Sequence, residues 1–516
     1  MDDLNYYRKL SVVLNIGSVK FLAARIRHSD NSEKVRLHIE KKGQIEACVD
    51  FTLQEMTQKV FKAKNYGVAL SCADIQAIIN NINDQYDNIP VVFTPFEQGF
   101  QYDVFTRKIT GYAGAKMLSA NGKEIVKDPY ADLPKSKGSI EDSKNMLVSY
   151  LLKNVKRQIV FLWSLASIVC ALLNKTILLS LTTSSSQGKT TVAKLSLSSF
   201  SNTNFSKIMR TWASTDNALT KALNNVFGVP MLIDDTSLRS EKSDFGRIIY
   251  EFINGTSKAR LTKGTELSLD SHWATSIIST SEFSIVDTCN PDFEGILPRI
   301  FEMNCSKGDL TDDEKEANYL QNFTKSSYGL IGPLFVQYLL TNGIPDLIDE
   351  EYTKEVSSIR DKIQSDEAII QRAIETIAII TLTAKYLTKA LQLNFETDQI
   401  TECMLAIYRD EIENFRDRNP RTHIIDSIYP SLVEYSKIHC SQYQRNNYVV
   451  IDNQTLKQFL TDINTRITIK TLKQELSRKN LLFMPRGAYS DTFTFDKKSI
   501  RGIALIINTE GDNNNE

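Results

Sequence analysis

Apolar and polar positions change rhythm several times along this chain. LSVVLNIG, VKFLAARIRH and VRLHIEKKG read as strands separated by polar, turn-rich stretches such as HSDNSEK. DFTLQEMTQKVFKAKNYG and CADIQAIINNINDQYDN read as helices, each with a polar start and a Gly or Asn near its end. Strand-like alternation returns from Val91 to Val126. The polar linker KDPYADLPKSKG then leads into a long helix predicted from about Ile140 to Leu173. Within it, IVFLWSLASIVCALL is an apolar run too short to span a bilayer, where ~20 residues are needed, so a buried helix is expected.

From Lys175 to about Ile300 short apolar runs (TILLSLTT, VPMLIDD, ATSIISTS) alternate with helices, the pattern of a parallel sheet. After Lys307 the chain turns helical up to about Arg418, and SDEAIIQRAIETIAIITLTAKYLTKAL is apolar nearly all round. The end predicts a helix near Asp426–Gln442, a strand NYVVID and helices NQTLKQFLTDI and TIKTLKQELSRKN. Strands LLFMPRGAYS and DTFTFDKKS follow, then IALIIN, a winged-helix order. The fold expected is multidomain α/β. An N-terminal α+β domain spans 1–135, a parallel-sheet α/β core 136–310, a helical lid 311–425, and a winged helix with a polar tail 426–516.

One string carries chemistry on its own. In TILLSLTTSSSQGKTTVAKLSL a strand runs into a loop of small residues and Gly188-Lys189-Thr190-Thr191 opens a helix. Backbone N–H groups of such a loop and helix start cradle phosphate oxygens. Ser184, Ser185, Ser186, Gln187, Gly188, Lys189, Thr190 and Thr191 are the expected ATP contacts. Lys189 would take the β/γ-phosphates and the Thr190 hydroxyl Mg²⁺. Thr183 stands where a first Gly is usual, so the loop must start with a different turn or under strain.

Further on, the strand VPMLI ends in Asp234-Asp235, which places one carboxylate for the metal and a second for a base or water-orienting role. SIIS ends in Thr280, Ser281 and Glu282, where a polar group could sense the γ-phosphate. Arg299 in GILPRIFEMN is a candidate arginine finger. Arg372, on an otherwise apolar helix, is either a second arginine for the nucleotide or the partner of Glu375 or Asp366. Lys258, Arg260 and Lys263 flank a Lys-Gly turn between two short strand-like runs.

Together SSSQGKTT, LIDD, NGTSKARLTKG, WATSIISTSE and LPRIFEM resemble the self-loading AAA+ replication helicases of mobile genetic elements, the initiators of staphylococcal pathogenicity islands and cassette elements. These are related in architecture to minichromosome-maintenance helicases. The resemblance covers about Thr176–Met303 specifically and weakens beyond. It implies an ATP-driven hexameric ring that binds its own origin, melts it and unwinds DNA, 3′→5′. Lys189, Thr190, Asp234 and Asp235 would act within one subunit, Arg299 on the neighbour's nucleotide, and the Lys263 hairpin would face the channel.

Charge narrows the readings. With 61 Lys+Arg against 62 Asp+Glu, the net charge of −1 supplies no global field for DNA, so any contact must be local or repeated around a ring. From Ser431 to Arg501 twelve Lys/Arg stand against six Asp/Glu, a local basic patch. Lys470, Lys473, Arg478 and Lys479 fall on or just after the expected recognition helix and Arg486 in the wing; a solvated helix face is the alternative. Seven scattered cysteines without CxxC fit reduced, buried thiols, and the polar N-terminus is no signal peptide, so a cytoplasmic protein is expected. Origin duplex and single strand, further copies of the chain and host replication proteins are the expected partners. The alternatives are a switch ATPase that loads another replication protein, and a DNA-binding regulator without helicase activity.

Overall fold

The computed structural model describes residues 10–507 except 28–32, 43, 62–69, 94–97, 104–105, 121–124, 126–132, 185–186, 206, 240–244, 258–271, 290–293, 364–367, 419–426, 446, 464, 466, 486 and 496–497. The chain divides into two units, Met1–Cys289 with Gly295–Tyr408, and Asn290–Glu294 with Arg409–Glu516.

The first unit opens with strands β1 (Ser11–Ile16), β2 (Val19–Arg27), β3 (Glu33–Lys41) and β4 (Gln44–Phe51) in one antiparallel sheet, with β5 (Val91–Phe93) parallel to β2. Helices α1 (Met56–Phe61) and α2 (Cys72–Asp84) bury Ile75, Ile78, Ile79 and Ile82 against Phe21, Leu37 and Val49. β4 lies outside the expected strands although QIEACVDF alternates, burying Ala47, Val49 and Phe51, because its last residues, Asp50 and Phe51, also open the helix-like run DFTLQEM. A small sheet follows, β6 (Gly99–Tyr102), β7 (Ile109–Ala113) and β8 (Met117–Ser119).

The long helix expected from Ile140 is broken. α3 (Ile140–Met146) passes into a π-turn over Leu147–Leu151, and α4 (Val155–Leu172) starts afresh because Asn154 accepts hydrogen bonds from Lys156 N (2.8 Å) and Arg157 N (3.4 Å). By length and composition α4 is apolar enough to cross a membrane, yet 83% of it is buried inside the fold. Trp163 stacks on Phe301 there, with ring centroids 5.5 Å apart.

The central sheet is parallel. Strands β9 (Ile177–Thr182), β10 (Met209–Thr211), β11 (Met231–Asp234), β12 (Ser276–Ser281) and β13 (Ile300–Asn304) lie in the order β10-β11-β12-β9-β13. β12 therefore sits between β9 and β11, which are not neighbours. Around it run α5 (Lys189–Ser198), α6 (Asp216–Leu223) and α7 (Phe245–Asn254). An isolated bridge joins Thr256 antiparallel to His272. Trp273, 2% exposed, donates from Nε1 to Phe252 O at 2.9 Å beside it. Helices α8 (Glu314–Ser326), α9 (Ile331–Thr341), α10 (Ile344–Ile363) and α11 (Ala368–Leu391) follow, α11 packing on α4. α12 (Thr397–Arg418) contains the boundary between the units.

In the second unit α13 (Tyr429–His439), α14 (Asn453–Asp462) and α15 (Ile469–Arg478) accompany an antiparallel sheet of order β14-β15-β17-β16. Its strands are β14 (Gln444–Arg445), β15 (Tyr448–Asp452), β16 (Asp491–Phe495) and β17 (Lys498–Ile506). Leu456, Phe459, Leu472 and Leu476 bury against Val449, Ile451, Ile503 and Leu505. Among the described residues the expected strand LLFMPRGAYS is reduced to one bridge, Leu482 to Leu505; the hairpin is β16–β17, and IALI belongs to its second strand. None of the seven cysteines is in a disulfide; Cys72, at the start of α2, is exposed and Cys48 and Cys403 are only partly buried, rather than buried.

Candidate functional site

Three strands of the central sheet end at one cleft of about 250 Å³. Gln187, Gly188, Lys189, Thr190 and Thr191 line it from the loop and helix after β9, Asp234 and Asp235 after β11, and Thr280, Ser281 and Glu282 after β12. Because the strands are parallel, their carboxyl ends meet on one side, where α5 presents its first N–H groups.

The loop makes its left-handed turn at Gly188 (φ 86°), the N-cap of α5, and Thr183 is not among the positive-φ residues. The different-turn alternative for Thr183 therefore holds, without strain at that residue. A Cβ on Gly188 would lie 2.7 Å from Thr311 Oγ1, so both φ and packing call for glycine. Lys189 Nζ donates to Thr183 O, and to Ser184 O at 3.2 Å. Burial pulls the Lys189 ammonium below its ordinary value, while the charges of Glu282, Asp235 and Asp234 push it back up. Thr191 Oγ1 accepts from Gln321 Nε2 of α8 at 3.2 Å. Ser184 does not line the cleft, and Ser185 and Ser186 lie outside the described residues.

Asp234 Oδ1 receives two hydroxyls, Thr190 Oγ1 at 3.0 Å and Thr280 Oγ1 at 2.5 Å. Thr280 Oγ1 in turn accepts from Asp235 N at 2.9 Å. Asp235 has φ 59° and caps a turn of 3₁₀-helix, its Oδ1 accepting from Ser237 N (3.1 Å) and Ser237 Oγ (2.5 Å). Ser281 Oγ, 1% exposed by residue, is tied to Thr236 Oγ1 at 2.6 Å and donates to Phe283 O. A hydroxyl and a carboxylate on one side suit a hard cation that keeps water and phosphate oxygens for its other positions. No group of three His, Cys, Asp or Glu among the described residues could hold a metal alone.

Arg299 is not in this cleft. It precedes β13, whose Ile300 pairs with Leu178 while Asn304 pairs with Thr182, so it sits at the opposite end of the sheet from the loop, about 16 Å from the Asn304 end at ~3.3 Å per residue. Its guanidinium lies over the Tyr250 ring (4.7 Å to the centroid) and donates to Gly295 O. Nothing in the sequence signalled Tyr250. Arg372 is exposed on α11 and does not line the cleft; Glu375 pairs with Lys175 at 2.6 Å, and Asp366 lies outside the described residues. Lys258, Arg260, Lys263 and Arg486 also lie outside them.

In the second unit Lys470, Arg478 and Lys479 are exposed on or just after α15. Lys473 is a correction: it is 9% exposed, and its Nζ donates to Asn453 Oδ1 (2.5 Å) and Ser490 Oγ (2.7 Å). Its ammonium is used internally and is not offered to a phosphate. Burial, and then the charge of Arg501, lower its pKa.

Fold and cleft together define a multidomain α/β protein with its cleft at the carboxyl ends of a parallel sheet. The structure described as "SCCmec type IV Cch - active helicase" matches with a TM-score of 0.69 at 19% identity, over 95% of this chain and 94% of that one. The chain belongs to the family described as a domain of unknown function, DUF927, whose model matches residues 8–267, just over half its length. A distant likeness to the NrS-1 C-terminal region, TM-score 0.34 at 12% identity over 95% and 97% of the two chains, adds nothing to the fold. No curated protein sequence matches.

Proposed function

We propose that this chain is an ATP-hydrolysing DNA helicase of the AAA+ class that initiates replication at an origin, working as a ring of six copies. The observation that carries the reading is the convergence of Lys189, Thr190, Asp234 and Thr280 on one cleft at the carboxyl ends of a parallel sheet. The α5 amides and Lys189 hold the β- and γ-phosphates, and Thr190 and Asp234 hold Mg²⁺, which when bound neutralises charge on the phosphate oxygens. Thr280 orients Asp234 through its hydroxyl. Likeness in fold to an active helicase supports the activity class.

Arg299, too far along the sheet to reach its own cleft, suits a neighbour's nucleotide. The helix pair and β16–β17 hairpin of the second unit form a winged helix, with Lys470, Arg478 and Lys479 toward origin phosphates, and Lys258, Arg260 and Lys263 grip the strand in the channel.

The test is strand displacement on a forked duplex by the full-length protein, beside ATP turnover. Wild type is expected to hydrolyse ATP and separate strands, and Lys189→Ala to lose about 100-fold or more in turnover with its melting temperature unchanged. Hydrolysis without separation would make the protein a loader, and unchanged turnover in Lys189→Ala would remove the ATPase reading.

A further inference from the structure

Asp235, by sequence the natural water-orienting group, lines the cleft, but its carboxylate is tied to its own turn. Its Oδ1 accepts both the N–H and the hydroxyl of Ser237, and its φ of 59° fixes it as the cap of the turn Thr236–Leu238. A non-glycine residue keeps such a backbone only where its surroundings compensate, so withdrawing the carboxylate would release the contacts that maintain the turn. Asp234 is occupied by two hydroxyls, and the Ser281 hydroxyl is bonded to Thr236 and Phe283.

Glu282 is differently placed. Ser281 pairs with Thr182, the last residue of β9, and Glu282 follows it at the end of the strand between the phosphate loop and Asp234. It lines the same cleft, is exposed, and carries one methylene more than aspartate. Of the carboxylates acting on the Lys189 ammonium, Glu282 exerts the largest effect, ahead of Asp235 and Asp234.

Resting on the nucleotide reading above, we infer that Glu282, rather than Asp235, is the carboxylate that holds and deprotonates the attacking water. The water oxygen forms a bond to the γ-phosphorus, and the bond from that phosphorus to the β–γ bridging oxygen breaks. The electron pair leaves with ADP. One water proton passes to a Glu282 oxygen and from there to solvent, so ATP and water give ADP, phosphate and a proton with no change of oxidation state. Asp235 is then a structural cap that holds Asp234 and Thr280 in register through its own N–H.

Full-length Glu282→Gln, Asp235→Asn and Lys189→Ala are compared with wild type in the presence of Mg²⁺ and single-stranded DNA. The readouts are ATP turnover, equilibrium affinity for a fluorescent non-hydrolysable ATP analogue, and the nucleotide extracted from the protein after incubation with ATP. Glu282→Gln is expected to lower turnover about 100-fold or more. Its affinity for the analogue should stay within about threefold, because the lost interaction belongs to the transition state, and ATP rather than ADP should be recovered. Asp235→Asn is expected to lose less than about tenfold, since an amide oxygen still accepts from Ser237. Near-wild-type turnover in Glu282→Gln beside an inactive Lys189→Ala overturns the assignment and leaves the ATPase reading standing. So does a larger loss in Asp235→Asn, or a Glu282→Gln that no longer binds the analogue. Wild-type turnover in Lys189→Ala overturns both.

Discussion

At the scale of single residues, a few side chains are set by their neighbours far more than by their own type. Glu302 on β13 is 5% exposed and accepts from Ile285 N at 2.8 Å; burial raises its carboxyl above the ordinary 4.5, against the lowering effect of its hydrogen bonds. A raised folded value means that its contribution to stability is complete below 4.5 and is lost as pH climbs through the folded value. Glu302→Gln keeps an oxygen for Ile285 and cannot titrate. Its melting temperature relative to wild type should therefore rise between acid and mildly alkaline pH, and a constant offset across a thermal-unfolding series would refute this. Lys189, Thr190 and Asp234 could be read from the sequence because adjacent residues carry the whole signal. The engagement of Asp235 with Ser237 and the burial of Lys473 could not, since a φ of 59° and a partner seventeen residues away leave no local mark.

Elements were legible where their pattern was long and closed by a cap. α2 carries isoleucines at helical spacing behind Ser71, which accepts from Asp74 N at 3.1 Å; it begins at the expected Cys72 and ends at Asp84, the expected residues 86–88 forming a separate 3₁₀ turn. The break before α4 escaped because the apolar pattern runs through it and only Asn154 marks the new start. Asn154→Ala should cost about 1 kcal/mol, read as a lower denaturation midpoint of the full chain, with Asn154→Asp restoring most of it. No change in midpoint would mean that packing alone fixes where α4 begins. β4 and the hairpin β16–β17 show another difficulty: DTFTF and IALI carry the strand pattern, but nothing in it says that β16 pairs with β17 rather than with LLFMPRGAYS, and β4 runs directly into a helical signal.

For the molecule as a whole, the alternation of strands and helices announced a parallel sheet, but no residue pattern states that β12 lies between β9 and β11. That order decides which strand ends share the cleft and puts Arg299 at the far end of the sheet. If Arg299 serves a neighbour, Arg299→Ala should bind ATP and hardly hydrolyse it. Mixing it with excess Lys189→Ala should restore part of the turnover, because some interfaces then join an intact loop to an intact arginine; confirmed mixed assemblies without rescue would exclude a role between subunits. The bridge from Thr256 to His272 has a mechanical consequence in such an assembly. A pull on the two bridged strands would enter the fold at one stem, where Trp273 Nε1 donates to Phe252 O. There the load divides, one share running along α7 to Tyr250 and the arginine stacked on it, the other along β12 to Thr280 and Glu282. A pull at that stem would thus be felt at two places together, the cleft and the Tyr250–Arg299 contact.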